Sequence, residues 1–436
     1  MQRYAPYLDG LAGQSRAMAD LVLDWVRVPT ATYDLDGLAR MAAKVKAAFA
    51  PFAPMGATVE ELELNPQATV DSLGQPQARP LGKALRFRMR PDAPLRIFLG
   101  IHMDVVYGNH GGAPGAGSGA EVTPEIRIER GILHASGGAD AKGGLVILLK
   151  ALEAFEASPF SAGVGWEVLI NPDEEIGSPG SKPLLIEAAG RNHLGLLFEP
   201  SLPNGNLVGA RKGSGNFAAV VRGKAAHAGR DPHLGRNAIH ALAHLILELD
   251  AFGKSHPGVN VNVGKVEGGG PLNRVPDLAI GRFNLRVKDP EDQAASESFL
   301  RGLAEKFGGR HGVALELSGG FSSPPKPLTE GYRALLEAVR GSGRKLGMDL
   351  GWESSGGVSD GNKLAAAGLV NVDTLGAVGG NIHSPEEFLI LDSLAERARL
   401  TALLLMELGS GESALPEKLR AGAGKAGKAG IVGEGV

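Results

Sequence analysis

Cysteine is absent from the 436 residues. That removes disulfides, thiolate ligands and a cysteine nucleophile in one step, so any metal must be held by His, Asp and Glu. Long apolar runs are also missing, and no stretch is long enough to span a bilayer. The opening MQRYAPYLDGLAGQSRAMADLVLDWV has acids inside its apolar pattern and lacks the basic, apolar, small-residue order of a signal peptide. Cytoplasm is therefore the default expectation. Charge of one sign is lacking too: 45 Lys and Arg face 48 Asp and Glu, a formal −3, which argues against a nucleic-acid partner. What is left is ordinary globular composition, 43% hydrophobic with a mean hydropathy of −0.02. The length exceeds what one hydrophobic core usually organises, so two domains are expected.

Within this chain, LRIFLGIHMD (Leu95 to Asp104) is a short apolar run that stops at a histidine, a spacer and an aspartate. Such runs predict buried strands of a parallel sheet, and ligands bind where those strands end. Residues two apart in an extended stretch project to one side. Asp104 can thus accept the spare N–H of His102, as the partner of a metal-bound imidazole does. On HMD alone, a strand-end histidine capped by a carboxylate is the plainer reading.

The pattern repeats downstream. A hairpin-like segment, Arg127 to His134, turning at Arg130-Gly131, delivers ASGGADAKGG, whose glycines surround Asp140 and permit close backbone approach. A phosphate cradle is the alternative for such a turn, but neither GxGxxG nor the P-loop pattern occurs. WEVLI (Trp166 to Ile170) ends in NPDEEIGSPGS, where Asp173, Glu174 and Glu175 repel one another unless a cation intervenes. On a solvated loop the same run would mean nothing. A further strand, Leu194 to Phe198, ends at Glu199-Pro200-Ser201. Four strand ends in succession are expected to deposit these groups on one edge.

Apolar periodicity predicts helices over Ser15 to Val26, Asp36 to Phe49 and Leu145 to Phe155, with another starting near Ser178. Ala57 to Leu64 and Ala84 to Met89 read as strands. Tyr107 to Pro124 reads as a mobile glycine-rich loop with His110 solvated. From about Arg211 the chain alternates apolar and polar residues, as a strand with one face open to water does. A helix (Asn237 to Phe252), strands near Val259 to Val266 and Ala279 to Val287, a helix (Glu291 to Phe307) and a strand (Val313 to Leu317) follow. That order describes a compact α+β unit with an antiparallel sheet. After Pro324 the first pattern resumes: a helix from Tyr332 to Leu346, the loop ESSGGVSDGN, a helix to Ala367, a strand from Leu369 to Thr374, GGNIHSPEEF, and a helix from Ile390 to Leu408.

His102, Asp140, Glu175, Glu199 and His383 together offer two imidazoles and three carboxylates, a donor set suited to divalent zinc or a close relative. Two cations ~3.5–4 Å apart need a shared carboxylate. Glu174 is surplus to that count, which suits a general base.

HMD, GGADAKGG, DEEIGS, FEPS, HAG and NIHSPEE, in this order and interrupted by an α+β insert, resemble the M20 family of di-zinc metallopeptidases and amidohydrolases, closest to its carboxypeptidase G2-like branch. The resemblance runs from roughly Asp20 to Leu408. It implies an α/β fold: a di-zinc peptidase-like catalytic domain with a mixed, largely parallel sheet flanked by helices, plus an inserted α+β ferredoxin-like dimerisation or lid domain. The catalytic domain would occupy 1–211 and 323–411, the insert 212–322 and a disordered tail 412–436. The resemblance also implies two Zn2+, with Co2+ or Mn2+ as substitutes: Asp140 bridging, His102 and Glu199 at one site, Glu175 and His383 at the other. Glu174 would be the base, Asp104 the orienter of His102, and Asp140-Ala141 a cis peptide. His227 would hold the oxyanion across a homodimer, against the bland reading of an exposed strand-end imidazole. Arg286 and Asn273 would contact substrate, against an edge-strand salt bridge and a turn.

Two departures stand out. LSGGFSSPPKP offers no counterpart to the second carboxylate-binding arginine of the branch, which removes support for glutamate specificity. The bridging motif reads GGADAKGG, where an arginine-glycine and paired aspartates are common. Gly356 to Asp360 resembles the family's glycine-rich substrate loop, with Asp360 as an alternative helix cap. The expected activity is hydrolysis of a small-molecule amide or peptide bond next to a free carboxylate, with no nucleic acid or membrane involved. A catalytically silent binder of an amino-acid-like ligand and a dimer with purely structural metals are the competing readings.

Overall fold

The computed structural model describes residues 1–106, 126–413 and Leu415. The glycine-rich loop with His110 and most of the C-terminal tail lie outside the described residues.

In chain order, the first elements are α1 (Ala5–Ala12), α2 (Ser15–Val26), α3 (Leu35–Phe49), β1 (Thr58–Leu62), β2 (Gln67–Val70), β3 (Pro76–Arg79), β4 (Ala84–Met89) and β5 (Leu95–His102). After β6 (Arg127–Glu129) and β7 (Ile132–His134) come α4 (Gly144–Glu156), β8 (Val164–Asn171), α5 (Lys182–Arg191), β9 (Leu194–Leu197) and β10 (Leu207–Arg211). Next are β11 (Gly213–Arg222), α6 (Ala238–Ser255), β12 (Val259–Gly268), β13 (Leu278–Val287), α7 (Pro290–His311) and β14 (Ala314–Ser323). The chain ends with α8 (Glu330–Lys345), β15 (Trp352–Ser355), α9 (Asp360–Ala366), β16 (Asn371–Val372), β17 (Gly379–Gly380), β18 (Phe388–Ile390) and α10 (Asp392–Gly409).

The apolar runs of β5, β8 and β9 are buried along their length because they lie inside a 6-stranded sheet of order β1-β4-β8-β5-β9-β16. β5 runs parallel to β8 and β9, while β4 is antiparallel to β8 and β1 to β4. A large apolar cluster drawing on α1, α2, α4 and α10 covers one face, and a smaller one drawing on α5 and α9 covers the other. Register then positions the chemistry. His102 pairs with Asn171 and Gly100 with Leu197, so the DEE run and Glu199 emerge beside His102 at one end of the sheet.

β11 through β14 form a separate antiparallel sheet of order β12-β13-β11-β14 with α6 and α7 on one face and its own apolar cluster. Strand, helix, two strands, helix, strand in that spatial order is a ferredoxin-like arrangement.

The structure differs from the sequence reading in several places. Asp140 does not end a strand of the main sheet: β7 belongs to a small sheet, β17-β18-β7-β6, and Asp140 lies in the irregular turn that opens α4. The helix expected near Ser178 starts at Lys182, because Gly177 and Ser178 have φ of 90° and 55° and Asp173 accepts from the Gly180 and Ser181 amides, holding a loop there. ESSGGVSDGN begins as strand β15, and Ser359 rather than Asp360 caps α9. β11 stops at Arg222, so His227 lies beyond the strand. The expected strand from Leu369 to Thr374 contracts to Asn371–Val372. Helix α1 and the β2-β3 hairpin were not expected.

Candidate metal centre

His102, the last residue of β5, is buried with its ring fixed from both sides. Its Nδ1 lies 2.9 Å from the backbone carbonyl of Asp104 and 3.3 Å from that residue's carboxylate. The main-chain oxygen, not the side chain, is thus the nearer orienting group. The Asp104 carboxylate has further work: it accepts from the Thr32 hydroxyl at 2.7 Å and from the backbone amides of Glu174 and Glu175 at 3.1 and 3.2 Å. One buried aspartate therefore ties the histidine to the turn after β8.

His102 Nε2 faces Asp140 Oδ1 at 3.1 Å and Glu199 Oε2 at 3.6 Å. Across the same aspartate, His383 Nε2 lies 3.2 Å from Asp140 Oδ2 and 3.1 Å from Glu175 Oε2. Two triads result, His102–Asp140–Glu199 and Asp140–Glu175–His383, each with ligand atoms within 4.8 Å of one another. Asp140 gives one oxygen to each.

Local backbone chemistry makes this sharing feasible. Gly137 sits at φ 73° and Gly144 packs so tightly that a Cβ there would lie 2.0 Å from the Phe198 carbonyl, bringing the start of α4 against the end of β9 and hence Asp140 beside Glu199. The Asp140-Ala141 peptide is cis. The buried Glu387 carboxylate accepts from the amides of Gly137, Ala139 and Asp140 at 2.8, 2.9 and 3.0 Å, so the loop that carries His383 also grips the Asp140 turn. His383 itself has φ of 60°, a conformation uncommon outside glycine.

The electrostatics call for positive charge. Burial works against ionised His102, yet Glu199, Asp104 and Asp140 outweigh it and raise its pKa well above the usual value. Hydrogen bonds to Asp140 and Glu175 push His383 up to about 11. Burial, then Asp140, pushes Glu175 up to about 7, and its buried Oε1 has no hydrogen-bond partner among the described residues. A crowded set of carboxylates with an orphaned buried oxygen fits a divalent cation in each triad. Glu174 stands apart. Its carboxylate makes no hydrogen bond among the described residues, and burial, then Glu199, holds its pKa well above the ordinary range.

A cavity of about 460 Å³ opens on these groups and reaches Arg286, Arg211, Asn216, Asn284 and Ser214. Arg286 is half-buried; its Nε donates to Asn284 at 3.1 Å and its buried Nη1 has no partner among the described residues. Asn273 and His227 do not line it. Both are exposed on adjoining turns, joined by a 2.9 Å bond from the Ala228 amide to the Asn273 carbonyl, and His227 Nδ1 accepts from the Gly229 and Arg230 amides.

Sequence reasoning missed Thr32, Glu387 and the ion cluster of Arg211, Asp373 and Lys326. Thr32 carries no local signal. Glu387, the second acid in HSPEE, was visible but unassigned.

The model of the peptidase family M20/M25/M40 matches residues 98–407. A succinyl-diaminopimelate desuccinylase of Gluconobacter oxydans (strain 621H) is 30% identical over 329 residues, covering 72% of this chain and 81% of that one. Carboxypeptidase G2 of Pseudomonas sp. (strain RS-16) is 28% identical over 320 residues, 72% of this chain and 74% of its own. Among solved structures, the YXEP protein of Bacillus subtilis, a dinuclear metal binding peptidase from the M20 family, superposes with a TM-score of 0.61 at 16% identity, covering 91% of this chain and 99% of that one.

Proposed function

The chain belongs to the peptidase family M20/M25/M40, and from that premise we propose that it is a metal-dependent hydrolase of an amide or peptide bond next to a free carboxylate, acting on a small peptide or N-acyl amino acid. The observation that carries this reading is the division of labour between neighbours: Asp140 is shared by two ligand triads, while Glu174, beside the ligand Glu175, is left unbonded.

His102, Asp140 and Glu199 would hold one cation, and Asp140, Glu175 and His383 the other; bound there, the pair would polarise the amide carbonyl and acidify the attacking water. Glu174 takes the proton from that water and passes it to the departing amine, a role suited by a carboxyl whose pKa lies above the usual range. Asp104 fixes the ring of His102 and, through the amides of Glu174 and Glu175, the position of the base relative to it. Arg286, which lines the cavity and has no carboxylate partner among the described residues, holds the substrate carboxylate.

Zinc is the proposed ion, with cobalt or manganese as substitutes. The catalytic parts of the chain lie at 1–211 and 323–411, with an insert at 212–322 and a tail at 412–436. The chain forms a homodimer through the insert, in which His227 and Asn273 serve the partner's site; their adjacency and exposure, away from the cavity of their own chain, support this reading. No helix among the described residues is long and apolar enough to cross a membrane; a cytoplasmic setting, with neither membrane nor nucleic acid as partner, belongs to the same reading.

The test is a release assay over N-acyl amino acids and dipeptides with zinc, cobalt or manganese, run beside Glu174→Ala. Turnover by the wild type and its collapse in a variant that still binds metal is the expected result. Equal failure of both with normal metal binding would favour a silent binder. A fully active strict monomer in sedimentation would remove His227 from the mechanism.

A further inference from the structure

Among the described residues, two guanidinium groups line the cavity, and they differ in availability. Arg286 has a buried Nη1 with no partner among the described residues. Arg211, at the end of β10, is fully engaged. Its Nε and Nη2 grip the two oxygens of Asp373 at 2.8 and 3.0 Å, and its Nη1 donates to the Gly357 carbonyl at 3.3 Å. Asp373 has no exposed surface and also accepts from Lys326 Nζ at 2.8 Å and the Ser359 hydroxyl at 3.2 Å. The cluster therefore offers no uncommitted fork to a substrate.

We propose that Asp373 is a specificity-determining residue: by occupying Arg211 from behind, it leaves Arg286 as the one open guanidinium of the cavity among the described residues and restricts the enzyme to amides bearing a single carboxylate and an otherwise neutral body. The rest of the lining suits such a body. Asn216, Ser214 and Ser322 supply neutral hydrogen-bonding groups, and Ile176, Leu202 and Val358 supply apolar wall. A second substrate carboxylate, such as a succinyl group would bring, loses its water in the cavity without gaining a charged partner.

This inference rests on the hydrolase reading, and the experiment separates the two. Metal-loaded full-length enzyme is assayed on isosteric pairs that differ by one carboxylate: N-succinamoyl-leucine against N-succinyl-leucine, and N-acetyl-glutamine against N-acetyl-glutamate. The neutral member of each pair is expected to have a kcat/KM higher by about tenfold, most of it in KM, the size expected for one unpaired buried polar group. Asp373→Asn and the double variant Asp373→Asn/Lys326→Met, which release Arg211, are expected to shrink that ratio at least threefold, through better KM for the acidic member. A wild-type ratio below about three in both pairs overturns the proposal, and a ratio unchanged in a folded variant overturns the role of Asp373. Should neither variant fold, Asp373→Glu, which keeps the buried anion but displaces its grip on Arg211, is put to the same ratio test. Failure to cleave any member with zinc, cobalt or manganese would strike the hydrolase reading instead.

Discussion

Asp373→Asn is also the sharpest stability experiment the molecule offers. The wild-type carboxylate is wholly buried and receives Arg211 through two bonds, Lys326 and Ser359. Asparagine keeps the shape but removes the anion, leaving two buried cations facing each other. Removing one partner of a buried ion pair costs ~3–5 kcal/mol, against a typical whole-domain stability of ~5–15 kcal/mol. Urea unfolding at pH 7 should therefore show a midpoint loss equivalent to about 3 kcal/mol or more. Adding Lys326→Met removes one of the stranded cations and should return about half of it. The pH dependence has a definite sign. Despite burial, Arg211 and then Lys326 hold the folded pKa of Asp373 well below the ordinary carboxylate range, so its contribution is complete above the unfolded value of about 4 and is lost as the pH falls toward the folded one. The gap between wild type and variant should stay flat from pH 7 to 5, then close by up to about 1.4 kcal/mol per pH unit below 4. A loss under about 1 kcal/mol at pH 7, or a gap that does not narrow in acid, would refute this account of the cluster.

Three further outcomes follow from the metal centre. Glu174→Gln should lower kcat by about 10²- to 10⁴-fold, the range for a lost general base, while the metal content measured by elemental analysis stays at the wild-type level. His383→Ala should halve bound metal per chain, since the His102 triad keeps its own donors, and a normal stoichiometry would contradict the two-triad assignment. Asp104→Asn, which disturbs the partner of His102 and of both glutamate amides, should weaken metal affinity about 10- to 100-fold in competition with a chelator; unchanged affinity would show that the Asp104 main-chain carbonyl alone orients the imidazole.

The parallel core was legible because buried strands leave continuous apolar runs, and the run from Leu95 to His102 was bounded to the residue. The candidate ligands were legible for a related reason: acids and histidines recur at the ends of such runs, where neighbouring strands deliver them to a common edge. Asp140 shows the limit, since the grouping of residues was visible while the element carrying Asp140 was not. Its turn is shaped by close approaches to the Phe198 carbonyl and by Glu387, which lies nearly 250 positions further along. Arg211 and Asp373 were opaque for the same reason, because a lone arginine and a lone aspartate carry no pairing information until the fold brings them together. His227 and Asn273 were placed by motif alone, and a single chain does not bring them to the cavity.

The bond from Gly137 to Glu387 and the pairing of His134 with Phe388 also bear on how the molecule is made. Four of the five candidate ligand side chains are synthesised by residue 199, but the fifth, and the clasp that steadies Asp140, emerge only after the whole β11–β14 unit has left the ribosome. Domains form as they are synthesised, and contacts between distant parts of a chain are slow to form. The candidate two-ion pocket of the nascent polypeptide is thus completed only when translation is nearly over.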